Sequence, residues 1–193
     1  MLASGNFGKL KELNDKLGHI ADVVPQSDFD IETPEETGST FVENALIKAS
    51  YVAELTGLPA LADDSGLSVD ALDGAPGIYS ARYAGLEASD ADNNAKLLHN
   101  LKGVPTEART AAFHCVLALV YPDNTEQPIL CDGVWRGKIL TEPKGSNGFG
   151  YDPIFQPEGL NMSSAELSAE HKNQISHRGK AMAILTCLLS EPL

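Results

Sequence analysis

Residues 40–67, "TFVENALIKASYVAELTGLPALADDSGL", set a helix signal and a strand signal back to back. Thr40 and Glu43 have capping-box spacing: the Thr hydroxyl accepts an N–H inside the first turn, and the Glu carboxylate accepts the N–H of the cap. Phe41, Ala45, Ala49, Val52 and Ala53 follow on one helical face, and Gly57 supplies the stop. The other face carries Asn44, Lys48 and Tyr51. Beyond the helix, an apolar run reads as an interior strand that halts at Asp63 and Asp64, with Ser65 and Gly66 as turn residues. Asp is seldom buried without a partner. A strand tip with two acids therefore binds a metal, works as a base, or opens a turn with solvated side chains.

The remaining elements extend this alternation of helix and strand. A first helix is expected from Phe7 to Leu17, ended by Gly18, and a third from Asp90 to Leu101 with Ser89 as cap. Ala111 to Tyr121 and Ile129 to Leu140 are strand-like runs around a Pro/Asp/Asn loop, which predicts a long hairpin forming an extended lobe. A helix near Ser164 to Glu170 is expected behind a Ser163/Glu166 capping box, then another from Arg178 to Leu189. The pattern predicts an α/β fold with antiparallel parts.

The bulk numbers narrow the function. A chain of 193 residues closes a substantial core, as one domain or a domain with two lobes. The formal charge of −13 argues against a nucleic-acid polymer as partner, which needs clustered Lys and Arg, but not against a small anion bound locally. No apolar run approaches the roughly 18 residues of a membrane helix, so a soluble, cytoplasmic protein without a membrane partner is expected. Cys115, Cys131 and Cys187 show no CxxC pairing and predict no disulfide; apolar neighbours make Cys115 and Cys187 buried fillers.

Four segments carry chemistry. Ser4, Gly5, Asn6, Phe7, Gly8 and Lys9 form a polar, Gly-containing turn before a helix. That is either a phosphate cradle of backbone N–H groups or an ordinary helix-starting turn, and it lacks the Walker A spacing. "ETPEETG", Glu32 to Gly38, is a solvated loop, or pairs Glu35 or Glu36 with Asp64 as hard oxygen ligands for Mg2+, within reach of Lys48. "GSNGFGYDPIF", Gly145 to Phe155, offers Phe149 and Tyr151 as flat faces and Asp152 as acceptor, or is a Gly-rich loop anchored by its aromatics. "SHRGK", Ser176 to Lys180, puts cations at a helix start, where the dipole disfavours them unless an anion or keto oxygen is near; otherwise it is a basic surface turn.

Taken in order, "SGNFGK", "EETGSTFVENALIKA", "ADDSGL", "GAPGIYSARY", "FHCVLA", "GFGYDPIF" and "EHKNQISHRGKA" resemble the inosine/xanthosine triphosphate pyrophosphatase family, bacterial type, over nearly the whole chain. The resemblance implies a two-lobed fold around an elongated mixed sheet with flanking helices, residues 1–193 forming a single domain with the nucleotide between the lobes, and a homodimer. It implies hydrolysis of noncanonical purine (deoxy)nucleoside triphosphates (ITP, dITP, XTP) to the monophosphate and pyrophosphate. Carried over by motif, Ser4 to Lys9 would hold the triphosphate, Lys48 would contact phosphate, and Glu35 with Asp64 would bind Mg2+. Asp64 would be the proton acceptor, and Ser65 would contact substrate. Phe149, Gly150, Tyr151, Asp152, Lys172, His177 and Arg178 would surround the purine. Asp63 would orient the metal's neighbours or share the ion. Before the Gly-Asn loop only Met1, Leu2 and Ala3 remain as a first strand. The alternatives are a pyrophosphatase for pyrimidine or modified nucleotides and a nucleotide sensor without catalysis.

Overall fold

The computed structural model describes residues 1–2, 18, 22–122 and 126–190. The expected Ser4–Lys9 loop and the first helix, apart from Gly18, lie outside the described residues. Five strands, β1 (Ala60–Val69), β2 (Pro76–Gly77), β3 (Thr110–Val120), β4 (Ile129–Ile139) and β5 (Phe155–Pro157), form one sheet in the order β2-β1-β3-β4-β5. The helices are α1 (Phe41–Thr56), α2 (Asp90–Asn100), α3 (Ala169–Ile175) and α4 (His177–Ser190). β2 pairs antiparallel to β1 and β5 antiparallel to β4, while Leu2 makes parallel bridges to Pro25 and Leu61. The five-stranded sheet is antiparallel, and the only parallel pairing among the described residues is in the isolated bridges of Leu2, so the expected mixed sheet gives way to an antiparallel one.

The chain divides into two compact units. One comprises Met1–Asp64, Cys115–Asp132 and Lys180–Leu193; the other comprises Ser65–His114 and Gly133–Gly179. In the first, Ala60 and Ala62 of β1 pack with Ala45, Ala49 and Val52 of α1, while Leu61 packs with Met182 and Leu185 of α4. Strand side chains alternate between faces, so a strand covered on both reads as an unbroken apolar run. In the second unit, Leu67 and Val69 join Phe113, Trp135 and Phe155 in a single core. The alternate positions are polar: Ser68 Oγ lies 2.8 Å from His114 Nε2, and Thr110 Oγ1 donates to Asp70 Oδ2 at 2.6 Å.

This arrangement corrects the expected strand end. β1 does not stop at Asp63 and Asp64 but runs on to Val69. The apolar run ends there because the strand's surroundings change, not because the strand does. Nor does the β3/β4 hairpin make a lobe of its own, since the unit division falls within both strands, at His114/Cys115 and Asp132/Gly133. The predicted helix at 164–170 is a single 3-10 turn, Ser164–Glu166, which keeps its Ser163/Glu166 capping box. Leu167 then turns extended and Ser168 caps α3 separately. Cys115 and Cys131 are buried free thiols, but Cys187 is exposed, on the outer side of α4 with the exposed Ile184 and Leu188, while Ala181, Met182 and Leu185 take the buried side. Among the described residues no helix is long and apolar enough to cross a membrane.

Local capping explains where α1 and α2 begin. Glu43 N donates to Thr40 Oγ1 at 3.1 Å and Thr40 N returns a bond to Glu43 Oε2 at 3.2 Å; Ser89 and Asp92 repeat the pattern in α2. Gly57 closes α1 at φ +66°, where a side chain would be strained.

Arg109, 7% exposed, ties α2's end to the strands. Its guanidinium donates to the carbonyls of Val104 (3.0 Å), Leu140 (3.1 Å) and Leu101 (3.0 Å). Arg109→Ala strips three carbonyls of this donor at once. We expect a loss of about 3 kcal/mol, given about 1–3 kcal/mol per unsatisfied buried group with partial relaxation. A urea midpoint unchanged from the parent would refute it.

Candidate active site

The first unit gathers an acid and lysine cluster. Asn44 and Lys48 lie one turn apart on α1, so they share a face, and both are buried, whereas Tyr51 beyond them is exposed. Lys48 Nζ donates to Asp64 Oδ1 and to Glu36 Oε1, both at 2.9 Å. Asn44 Nδ2 lies 3.4 Å from Asp64 Oδ2, and Asn44 Oδ1 accepts the Gly38 N–H at 2.8 Å. One amide thus ties the acidic loop to the strand carboxylate. A Cβ at Gly38 would sit 2.6 Å from Asn44 Oδ1, so the loop's approach needs a glycine.

Electrostatics keeps Lys48 cationic. Burial alone would lower its pKa, but the charge and hydrogen bonds of Asp64, with those of Glu36, outweigh burial and raise it. For Asp64 burial is the larger effect, exceeding the attraction of Lys48, and it lifts the carboxyl above the ordinary Asp range. Asp63, buried at 6% exposure, falls on the opposite face of β1 from Asp64. Glu35 is exposed.

The second unit holds a pocket of about 150 Å³. Phe149 presents a ring 55% exposed, with Lys172 Nζ 4.9 Å and Arg178 Cζ 5.9 Å from its centroid. Both distances suit cation–π attraction. His177 stacks on Phe113 at 4.8 Å and 10°. Asp152 is nearly fully buried, accepting the Phe149 N–H (2.9 Å) and the Ser164 hydroxyl (2.6 Å) and pairing with the Lys172 ammonium. Tyr151 donates to Ser80 O at 2.8 Å, and burial pushes its phenol well above the usual range. A Cβ at Gly148 would lie 2.0 Å from Asp152 Oδ2, so the tight loop depends on glycine there.

Of the residues singled out from sequence, Lys48 and Asp64 meet in the cluster. Ser65, Phe149, Gly150, Tyr151, Asp152, Lys172, His177 and Arg178 all line the one pocket. Glu36, not Glu35, is the glutamate paired with Lys48. Sequence reasoning assigned no role to Asn44, Ser80, Asp90, Asn94 or Ser164. Asn44 was legible as the i−4 neighbour of Lys48; the others hold loops distant in sequence, and no local pattern marks them.

The Ham1 family pattern matches residues 1–187. The chain belongs to the Ham1 family. Among its relatives is a protein of Vibrio cholerae named dITP/XTP pyrophosphatase, 56% identical and aligned over 99% of this chain and 96% of that protein. Another of that name, from Coxiella burnetii, is 50% identical over 99% and 96%. A solved Ham1 structure from Coxiella burnetii superposes with a TM-score of 0.94 at 50% identity, covering 99% of this chain and 98% of that one. The Staphylococcus aureus Ham1 structure follows at 0.90 and 43%, covering 97% and 96%. Membership in the Ham1 family accounts for the mixed α/β fold.

Proposed function

We infer that this Ham1 chain hydrolyses noncanonical purine (deoxy)nucleoside triphosphates, ITP, dITP and XTP, to the monophosphate and pyrophosphate. The observation that carries this reading is the buried Asp64–Lys48 pair, next in sequence to Ser65, which lines the aromatic pocket. Names of relatives at 50–56% identity support it.

The donors fit a divalent cation. Asp64 and Glu35 are hard oxygen donors, and Mg2+ is commonly held by one or two carboxylates with water and substrate phosphates completing the shell. Lys48 holds one oxygen of Glu36 and one of Asp64, so each keeps a second oxygen, and Glu35 or Glu36 would supply the second carboxylate. When bound, Mg2+ would offset the charge that grows on the phosphates as the bond breaks.

The chain's own part is proton transfer and positioning. Asp64 accepts a proton as water attacks the α-phosphorus; the α–β phosphoanhydride bond breaks and pyrophosphate leaves. Lys48 fixes Asp64 by its Oδ1 and adds positive charge beside the phosphates. Ser4 to Lys9 bind the triphosphate through backbone N–H groups. Phe149 stacks on the purine, and Arg178 or nearby N–H groups donate to its 6-keto oxygen, with Gly150 to Asp152, Lys172 and His177 around it. An adenine amino group would leave those donors unpaired. The enzyme works as a cytoplasmic homodimer cleansing the nucleotide pool.

Pyrophosphate release across ITP, dITP, XTP, GTP, ATP and dUTP, with and without chelator, tests the reading. Fast release from ITP or XTP that chelator stops and Mg2+ restores is expected. Preference for dUTP, or tight ITP binding without turnover, overturns it. Arg178→Ala should lower the ITP-to-ATP preference by roughly 5- to 30-fold, the worth of about one to two kcal/mol of donor matching. An unchanged ratio refutes that role.

A further inference from the structure

The loop bearing Phe149 is gripped from behind by α2. Asp90 and Asn94 stand four residues apart on that helix and so face the same way. Asp90 Oδ2 accepts the Gly150 N–H at 2.6 Å, and Asn94 Nδ2 donates to Gly150 O at 2.9 Å. Both backbone polar groups of one residue are thus held by one rigid element. Gly150 has φ +61°, a left-handed conformation, and among the described residues beyond its chain neighbours nothing lies within 4 Å of where its Cβ would be. The Asp152 N–H bonds Phe149 O at 3.3 Å and closes the turn around Gly150, and the two bonds from α2 fix that turn to the helix. Asn94 is 8% exposed, and among the described residues its Oδ1 has no hydrogen-bond partner, while its Nδ2 makes the bond to Gly150.

We propose that Asp90 and Asn94 are positioning residues for base recognition: by clamping Gly150 they hold the Phe149 ring, and with it the Lys172 and Arg178 cations over that ring, in register for a purine. The proposal rests on the reading of this pocket as the purine site. Asp90 reaches the pocket wall, but it acts through the loop and not through the scissile phosphate. Its loss therefore weakens binding and base discrimination and leaves the chemical step alone.

Charge and hydrogen bond separate cleanly at Asp90. Asp90→Ala removes the acceptor, whereas Asp90→Asn keeps an oxygen for the Gly150 N–H and loses only the charge that favours a helix N-terminus. Asp90 is exposed, so both variants should fold. We expect Asp90→Ala and Asn94→Ala to raise KM for ITP about tenfold, the worth of one well-placed hydrogen bond, with kcat within about threefold and a smaller ITP-to-ATP preference. Asp90→Asn should restore most of the parent's KM. Amide exchange read on a peptide covering residues 145–152 should speed about tenfold in Asp90→Ala and not in Asp90→Asn. The clamp is overturned if exchange in this segment is unchanged by Asp90→Ala, if Asp90→Asn is as impaired as Asp90→Ala, or if kcat alone falls. A parent that does not hydrolyse ITP sinks the proposed function instead, and the exchange measurement still decides the clamp.

Discussion

Asp64→Asn should lower kcat for ITP by about 10³-fold, within the range of about 10² to 10⁴ that a general base contributes, and leave the melting temperature within about 3 °C of the parent. The substitution is nearly isosteric. Its amide oxygen still accepts the Lys48 ammonium that now bonds Asp64 Oδ1 at 2.9 Å, and Lys48 keeps Glu36 as counter-charge. What disappears is the carboxylate's charge, and with it the capacity to take a proton from water and to serve as an anionic ligand for Mg2+; Oδ2, which lies 3.4 Å from Asn44 Nδ2, also gives way to an amide nitrogen. Steady-state kinetics beside thermal unfolding checks both halves. Activity within threefold of the parent would remove Asp64 from the base role, and a collapse in stability would recast the pair as structural.

Lys48→Ala should be costly on both counts. One ammonium serves two carboxylates, Asp64 Oδ1 and Glu36 Oε1, at 2.9 Å each, and the Lys48 side chain is 8% exposed. Removing the cation leaves an acid buried without its partner, for which breaking a buried pair costs about 3–5 kcal/mol. We expect a urea-derived loss of about 3 kcal/mol and a fall in kcat/KM of about 10²- to 10³-fold, as phosphate charge goes unmatched and Asp64 is no longer oriented. The double variant Lys48→Ala/Asp64→Asn should recover part of the lost stability, because the stranded carboxylate is gone. Strict additivity of the two single effects would show that the pair is not coupled.

These two residues show how far the sequence reaches. The ends of α1 and the burial of its alanine face follow from Thr40, Glu43, the apolar spacing and Gly57, all within one turn or a few. Asp64 and Lys48 were picked out because acids beside an apolar strand and a lysine one helix earlier are chemically conspicuous. The seven-motif order identified the family, which residues 1–187 bear out. The split of the Ser163–Ile175 region was not legible, because two cap signals, Ser163 and Ser168, follow each other more closely than one helix needs and only the extended Leu167 separates them.

What the amino-acid sequence determined by itself is local: helix starts and stops, the apolar faces, and the residue types able to do acid, base and anion chemistry, since each depends on neighbours within about four positions. Tertiary structure alone decided that β1 continues past its acids, that Lys48 chooses Glu36 over Glu35, and that Gly150 is held by α2 sixty residues away in the case of Asp90. Those outcomes depend on which face a neighbouring element covers and on hydrogen bonds closed across long stretches of chain, and no periodicity in the intervening residues encodes such meetings.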